Sequence, residues 1–442
     1  MRRVCSLKGG NFPSAEELLD EDADLVNCAE DCCCCCPTTS CLYTSLSWMS
    51  CCGGASRRPF CCSRWFLFLL LCASVTYAAY WLFLRPLSLN SVTYARSVMA
   101  AMCAMYRKNE ISGEFCNRLC FAPTLGGDNS AAAAPYSIID FFSENKAVLV
   151  LLVGGQKMVL KSQHAYAHSF DGLETFLAEE ETANGGRGGS NYDGEAKFMD
   201  RMLQLVNEHL ELGWPRDRKE HLLRLLWPGE FRSPNGKLSQ ADMRSLWMLI
   251  QQEEFLTFAV LSSARVFPRL LGSCGHFYAV EYLVPFRLKS YYSNLKAKIL
   301  VHLMGTLKLF YEFINEPLHW CDVRFDNFGL SADYPKRFML MDADMVYTES
   351  RMHKLLRQLP CRTNDDCQFF DCQAECDTER RHCSARRNDN LNVFCEKLVI
   401  QLFGTFWSRS NRYLAACHDK KLNASQRLQE LRLVWAWSLS DI

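Results

Sequence analysis

Asp322 stands five residues before Asn327, and Asp342 follows fifteen residues after that asparagine, at the end of the apolar run Phe338-Met339-Leu340-Met341. A carboxylate can take a proton from a hydroxyl group, and a carboxylate with an amide oxygen can hold a hard divalent cation such as Mg²⁺. Lys161 closes the apolar stretch Lys157–Lys161, and Glu254 lies in a segment whose apolar residues, Leu246, Leu249, Ile250 and Phe255, recur at helical spacing. A lysine at a strand end and a glutamate on a helix can form an ion pair at a polyphosphate site. Each residue alone is an ordinary surface group; their order along the chain and their suitable elements give them weight.

The pattern resembles that of protein kinases. Cys321-Asp322-Val323-Arg324-Phe325-Asp326-Asn327 is similar to the D-x-K-x-x-N catalytic loop, and Asp342 to the metal-binding aspartate. The resemblance implies that Asp322 is the base and that Asn327 and Asp342 hold Mg²⁺. Arg324 then stands where a lysine contacts the transferred phosphate, Lys161 pairs with the α- and β-phosphates, and Glu254 forms the ion pair with Lys161, with Glu253 as the second choice. The chain also departs from the pattern. It has no G-x-G-x-x-G, since Gly154-Gly155 falls between the second and third strands, Trp320-Cys321-Asp322 replaces H-R-D, Asp342-Ala343-Asp344 replaces D-F-G, and no A-P-E follows.

The segments SLWMLIQQEEFL, LGSCGHFYAVEYL, WCDVRFDNFGL and MDADMVY resemble the divergent protein kinase domain family of endoplasmic-reticulum type II membrane proteins, in its first, pancreatitis-induced-protein subfamily. The cysteine stretch CRTNDDCQFFDCQAECDTERRHC and the segment NDNLNVFCEKL do so too, and the resemblance covers roughly residues 90 to 440. It implies ATP and Mg²⁺ as cofactors and a lumenal protein or glycan as substrate. That family carries an EF-hand-type loop between the lysine and the glutamate. Here the matching stretch, Phe231–Asp242, offers Phe231, Ser233, Asn235 and Asp242 at positions 1, 3, 5 and 12, so the first ligand is missing and the last is shortened. A structural remnant is expected there rather than a calcium site. A kinase acting on lumenal substrates, a nucleotide-binding pseudokinase scaffold and a disulfide-bonded structural protein remain open at this point.

The elements that must position these residues read as strands first and helices later, an α+β chain with two lobes. Ala147–Val153 and Lys157–Lys161 read as a hairpin, Gly272–Leu283 as another strand pair, residues 298–313 as a helix and Arg337–Met341 as a strand. Residues 179–195, acidic then glycine-rich, read as an insertion. The expected division is a cytosolic cysteine-rich tail (1–64), a transmembrane signal anchor (65–84), a lumenal stem (85–130), an N-lobe (131–283) containing the loop 231–242, and a C-lobe (284–442) with a cysteine-rich segment (361–395).

The chain has 442 residues, 49% hydrophobic, with 49 basic and 49 acidic side chains, which argues against binding nucleic acid through bulk charge. Trp65–Leu84 is uncharged over twenty residues, the length that crosses a bilayer, with aromatic rings near its ends. Of 25 cysteines, thirteen lie at or before Cys72 and twelve from Cys103 onward. The second set is even in number and spaced as in a disulfide framework; zinc is the alternative, but the gaps fit no paired C-x-x-C pattern. The sequon Asn423-Ala424-Ser425 on the same side marks Asn423 for glycosylation. Together these predict a single-pass type II protein with a lumenal C-terminal part, in the endoplasmic reticulum or the Golgi. The run Cys32–Cys36 and its neighbours suit either acylation or a tail of reduced thiols.

Overall fold

The structure is a computed structural model that describes residues 70–77, 85–121, 136–142, 146–175, 191–228, 237–288, 293–313, 316–332, 337–419 and 421–436. Residues from Arg85 onward form one compact unit, distinct from those before it. Of the expected membrane anchor, residues 70–77 are helical and exposed, and the rest lies outside the described residues. Among the described residues no helix is long and apolar enough to cross a membrane. The tail 1–64 also lies outside them.

The compact unit mixes sheet and helix, as the order of sequence patterns predicts. Five strands, β1 (Tyr136–Phe142), β2 (Ala147–Val153), β3 (Gln156–Ser162), β4 (Leu270–Cys274) and β5 (Phe277–Glu281), make an antiparallel sheet in the order β1-β2-β3-β5-β4. Alternation along the strands sends successive side chains to opposite faces. Leu149 and Leu151 of β2 and Met158 and Leu160 of β3 are buried on one face. Lys161 and Tyr278 are register partners on the other.

The first of these faces is covered by the segment expected to be a stem. Residues 85–121 are no separate stalk. Ala95, Val98, Met99 and Met102 of the helix Arg85–Arg107 recur at helical spacing and share one apolar cluster with Leu149, Met158, Phe277 and Ala279. Two glycines let this segment close on the sheet. A Cβ at Gly113 (φ +148°) would lie 2.3 Å from the Ser273 carbonyl oxygen, and one at Gly272 (φ +151°) would lie 2.5 Å from the Phe115 ring. The Cys116–Cys274 disulfide then binds the two layers covalently.

The helix Glu253–Val260 packs beside the opposite face, next to Gln240–Ile250, which Ser239 and Asp242 cap reciprocally. The insertion ends earlier than the sequence suggests: residues 176–190 lie outside the described part, and 191–195 open the helix Asn191–Leu210. Beyond β5 come β6 (Val284–Pro285), the buried helix Ser293–Tyr311, β7 (Leu318–Trp320), β8 (Phe328–Leu330), β9 (Phe338–Leu340) and β10 (Val346–Thr348). β8 and β9 form a hairpin with β6 at its edge, and β7 pairs with β10.

The cysteine-rich segment is a small sheet of β11 (Gln368–Phe369), β12 (Cys372–Asp377) and β13 (His382–Arg386), so helices do not wholly own the end of the chain. All twelve cysteines from Cys103 onward are paired: Cys103–Cys120, Cys116–Cys274, Cys321–Cys372, Cys361–Cys376, Cys367–Cys383 and Cys395–Cys417. The sulfurs of Cys361, Cys367 and Cys376 cluster closely enough for a metal, but each is spent in a disulfide and offers no thiolate.

One buried base makes the sheet layer sensitive to acid. His276, in the β4–β5 turn, is only 2% exposed, with Nε2 directed at the Ala165 carbonyl oxygen and no partner on Nδ1. Burial, with the neighbouring His164 and His168, pushes its pKa down to about 4 despite that hydrogen bond. A group whose folded pKa is depressed below its unfolded value near 6.5 gives stability that is complete above the latter and is lost as pH falls toward the former. Melting temperatures of wild type and His276→Leu between pH 7 and pH 4 are expected to show a steeper acid decline in the wild type, its excess approaching about 3 kcal/mol. Parallel curves would refute the assignment.

Candidate active site

Glu254 is the centre of the site. It lies in the first turn of the helix Glu253–Val260, where the unpaired backbone N–H groups favour a negative charge, and is 4% exposed. Oε1 accepts from Lys161 Nζ at 2.7 Å and Oε2 from the Tyr278 hydroxyl at 2.7 Å and from Lys146 Nζ at 3.0 Å. The Ala343 N–H, 3.3 Å from Oε1, ties the same carboxylate to the Asp342-Ala343-Asp344 segment. Burial works to raise the Glu254 pKa, but Lys161, Lys146 and the two hydrogen bonds outweigh it and hold the group down to about 2. Glu253, one residue earlier, points away toward His209 and Arg351.

Lys161 has a second fixed partner, the Met341 carbonyl oxygen at 2.6 Å, so β3 is pinned both to the helix and to the residue before Asp342. Asp342 and Asp344 are 45% and 41% exposed and face Lys146 Nζ at 3.1 and 2.7 Å. The Asp344 N–H also donates to Asp342 Oδ1. Burial, then the charges of Glu254 and Asp342, push the Asp344 pKa up to about 6 against the pull of Lys146. One oxygen each from Glu254, Asp342 and Asp344 lies within 4.8 Å of the others, a hard-oxygen set suited to Mg²⁺.

Asp322 and Asn327 form the second part of the site. The turn Phe325–Asn327 brings Asn327 Nδ2 to 3.0 Å from the Asp322 carbonyl and 2.9 Å from Asp322 Oδ2. Arg324 Nη2 meets the same oxygen at 2.9 Å. Because the amide nitrogen of Asn327 is turned to Asp322, its oxygen is the atom left for a cation. The two parts are joined through the backbone: the Met341 N–H donates to the Asn327 carbonyl at 2.8 Å, continuing the β8–β9 ladder.

The loop bearing Asp322 is anchored from below. Cys321 is disulfide-bonded to Cys372, the Val323 N–H donates to Asp371 Oδ2, and the Asp371 N–H donates to the Cys321 carbonyl. Asn390 holds the approach strand by accepting from the Trp320 N–H and donating to the Leu318 carbonyl.

The sequence-predicted residues thus fall into one chain of contacts: Lys161, Glu254 and Asp342 in one cluster, Asp322, Arg324 and Asn327 in the next. Lys146 and Asp371 were not anticipated. Lys146 directly precedes β2 and carries no motif; its signal is the alternation that sets it on the same face as Val148, the register partner of Lys161. Asp242, the twelfth position of the EF-hand-like loop, is buried, accepts from Ser239 and Ser112, and serves the helix cap. Phe231, Ser233 and Asn235 lie outside the described residues. Asn423 is exposed and caps the helix Ala424–Arg432 through Oδ1.

Replacing Glu254 by Gln removes the one charge that Lys161 and Lys146 share, leaving Lys161 buried without a counter-ion. Thermal or urea unfolding should show Glu254→Gln losing about 3–5 kcal/mol and Glu253→Gln less than about 1 kcal/mol. Equal losses would deny Glu254 its central place.

Two comparisons with known families agree with this geometry. Residues 246–430 match the profile described as the protein-kinase domain of FAM69, and residues 57–174 match the N-terminal cysteine-rich, endoplasmic-reticulum profile of the same family. The second match carries Lys146, Lys161 and strands β1–β3, the first carries Glu254 and everything from Asp322 to Asp344, and the sheet and salt bridges join the parts of both from Arg85 onward in one unit. The chain belongs to the FAM69 family of divergent, cysteine-rich, protein-kinase-like proteins.

Proposed function

We propose that the chain is a divergent kinase of the secretory pathway, transferring a phosphoryl group from Mg-ATP to a hydroxyl of a lumenal protein or glycan. The observation that carries this reading is the Lys161–Glu254 pair sharing one buried carboxylate with the segment of Asp342, directly beside the Asp322–Asn327 loop. Mg²⁺ bound by Asp342, Asn327 and Asp344 would neutralise the charge of the phosphates. Asp322 would accept the substrate proton: Asn327 and Arg324 engage its Oδ2, which leaves Oδ1 for an incoming hydroxyl. Arg324, 60% exposed, would then steady the transferred group. Lys161 would orient the α- and β-phosphates while Glu254 fixes its position.

Thermal unfolding of the full chain in detergent, with and without Mg-ATP, tests the reading, since a ligand that binds only the folded state raises the melting temperature. A metal-dependent rise is expected, lost in Asp342→Asn. Asp322→Asn should keep the rise but abolish transfer from labelled ATP, including transfer to the protein itself. A rise with no transfer in any form would mark a nucleotide-binding scaffold, and no rise at millimolar ATP would refute the nucleotide site.

The proposed setting is a type II membrane protein anchored by Trp65–Leu84, with residues from Arg85 on in the lumen of the endoplasmic reticulum. Six disulfides support an oxidising compartment for that part. Asn423 supports it as well: the cap uses Oδ1, so Nδ2 is free for an N-linked glycan. Full-length chain inserted into microsomes should lose apparent mass on treatment with an N-glycosidase, and Asn423→Gln should not. An inserted wild type that carries no glycan would reverse the proposed orientation.

A further inference from the structure

Lys146 and Lys161 reach the same carboxylates but are held very differently. The Lys161 side chain is 10% exposed, and its Nζ gives hydrogen bonds to Glu254 and to a backbone carbonyl and lies 5.3 Å from the centre of the Phe258 ring. Its partners are parts of the framework. Lys146 stands directly before β2, and its Nζ contacts Glu254 Oε2, Asp342 Oδ1 and Asp344 Oδ2 at 3.0, 3.1 and 2.7 Å. An ammonium has three N–H bonds, and these three contacts claim them all. Two of its partners are the half-exposed aspartates assigned above to the metal.

A divalent cation on those aspartates and the Lys146 ammonium therefore compete for the same oxygens. Placed together, they would sit about 4 Å apart, where like charges repel strongly in a partly desolvated cleft. The nearest anion then available to the displaced ammonium is the polyphosphate that the metal brings with it. We propose that Lys146 is a second phosphate-gripping residue, exchanged from Asp342 and Asp344 onto the nucleotide when the divalent metal binds. The proposal rests on the nucleotide reading above. It makes metal and nucleotide binding cooperative: metal alone leaves the ammonium only Glu254, which Lys161 already holds, whereas metal and phosphate together give it a partner of its own.

Calorimetric titration of the full chain in detergent, with Mn²⁺ alone and with the magnesium complex of a non-hydrolysable ATP analogue, separates this role from a structural one. In Lys146→Met, Mn²⁺ alone should bind about tenfold more tightly and the nucleotide complex about tenfold more weakly, opposite changes of similar size. Lys146→Arg, which keeps the charge, should retain the wild-type order and guards against a folding defect in the first variant. A Lys146→Met protein that weakens both ligands, or alters neither, overturns the exchange. Wild type that takes Mn²⁺ but no nucleotide at millimolar concentration refutes the nucleotide reading itself, and the exchange with it.

Discussion

A single buried carboxylate organises this molecule. Glu254 costs free energy to bury, and what offsets that cost is drawn from three separate stretches of chain: Lys146 and Lys161 from the β2–β3 hairpin, Tyr278 from the next strand, and the Ala343 N–H from the segment after β9. Each donor fixes the position of its own element. The sheet, the helix Glu253–Val260 and the Asp342 segment are thus set relative to one another by one acceptor with two oxygens. Everything assigned to phosphate or metal lies within reach of that arrangement.

The second anchor is of a different kind. It holds the loop of Asp322 and is covalent where the Glu254 anchor is ionic. Here the same loop is held by the Cys321–Cys372 bond and by Asp371, which accepts from Val323 and donates back to Cys321. The cysteine-rich segment is thereby tied to the loop of Asp322 by one covalent bond and a reciprocal pair of hydrogen bonds.

How much of this could be read from the sequence depended on whether spacing or three-dimensional closure set a residue's role. Asp322, Asn327 and Asp342 were legible because a turn and a hairpin fix them at short range. Glu254 was preferred over Glu253, and helical phase is what separates them: one faces Lys161, the other His209. Lys146 was illegible because its partners lie about a hundred and two hundred residues away, and no local pattern marks a lysine after a turn. The segment 85–121 reads in the sequence as part of a stem although Ala95, Val98, Met99 and Met102 form a stripe; a helix following an expected membrane anchor invites that reading, and only packing on the sheet corrects it. An even count of cysteines gave the framework but could not give its pairing, which rests on contacts as distant as Cys116 with Cys274.

Cys321 is the immediate neighbour of Asp322, and that adjacency has a bearing on how the protein matures. Thiol–disulfide exchange can join Cys372 to any of several nearby cysteines, four of which, Cys361, Cys367, Cys376 and Cys383, belong to its own cysteine-rich segment. A chain in which Cys372 closes on another cysteine leaves the aspartate loop without its covalent anchor even if the five-stranded sheet is perfect. Oxidative fidelity and competence are then the same property: a preparation with scrambled pairs is a mixture of complete and incomplete molecules rather than a population of uniformly slower ones.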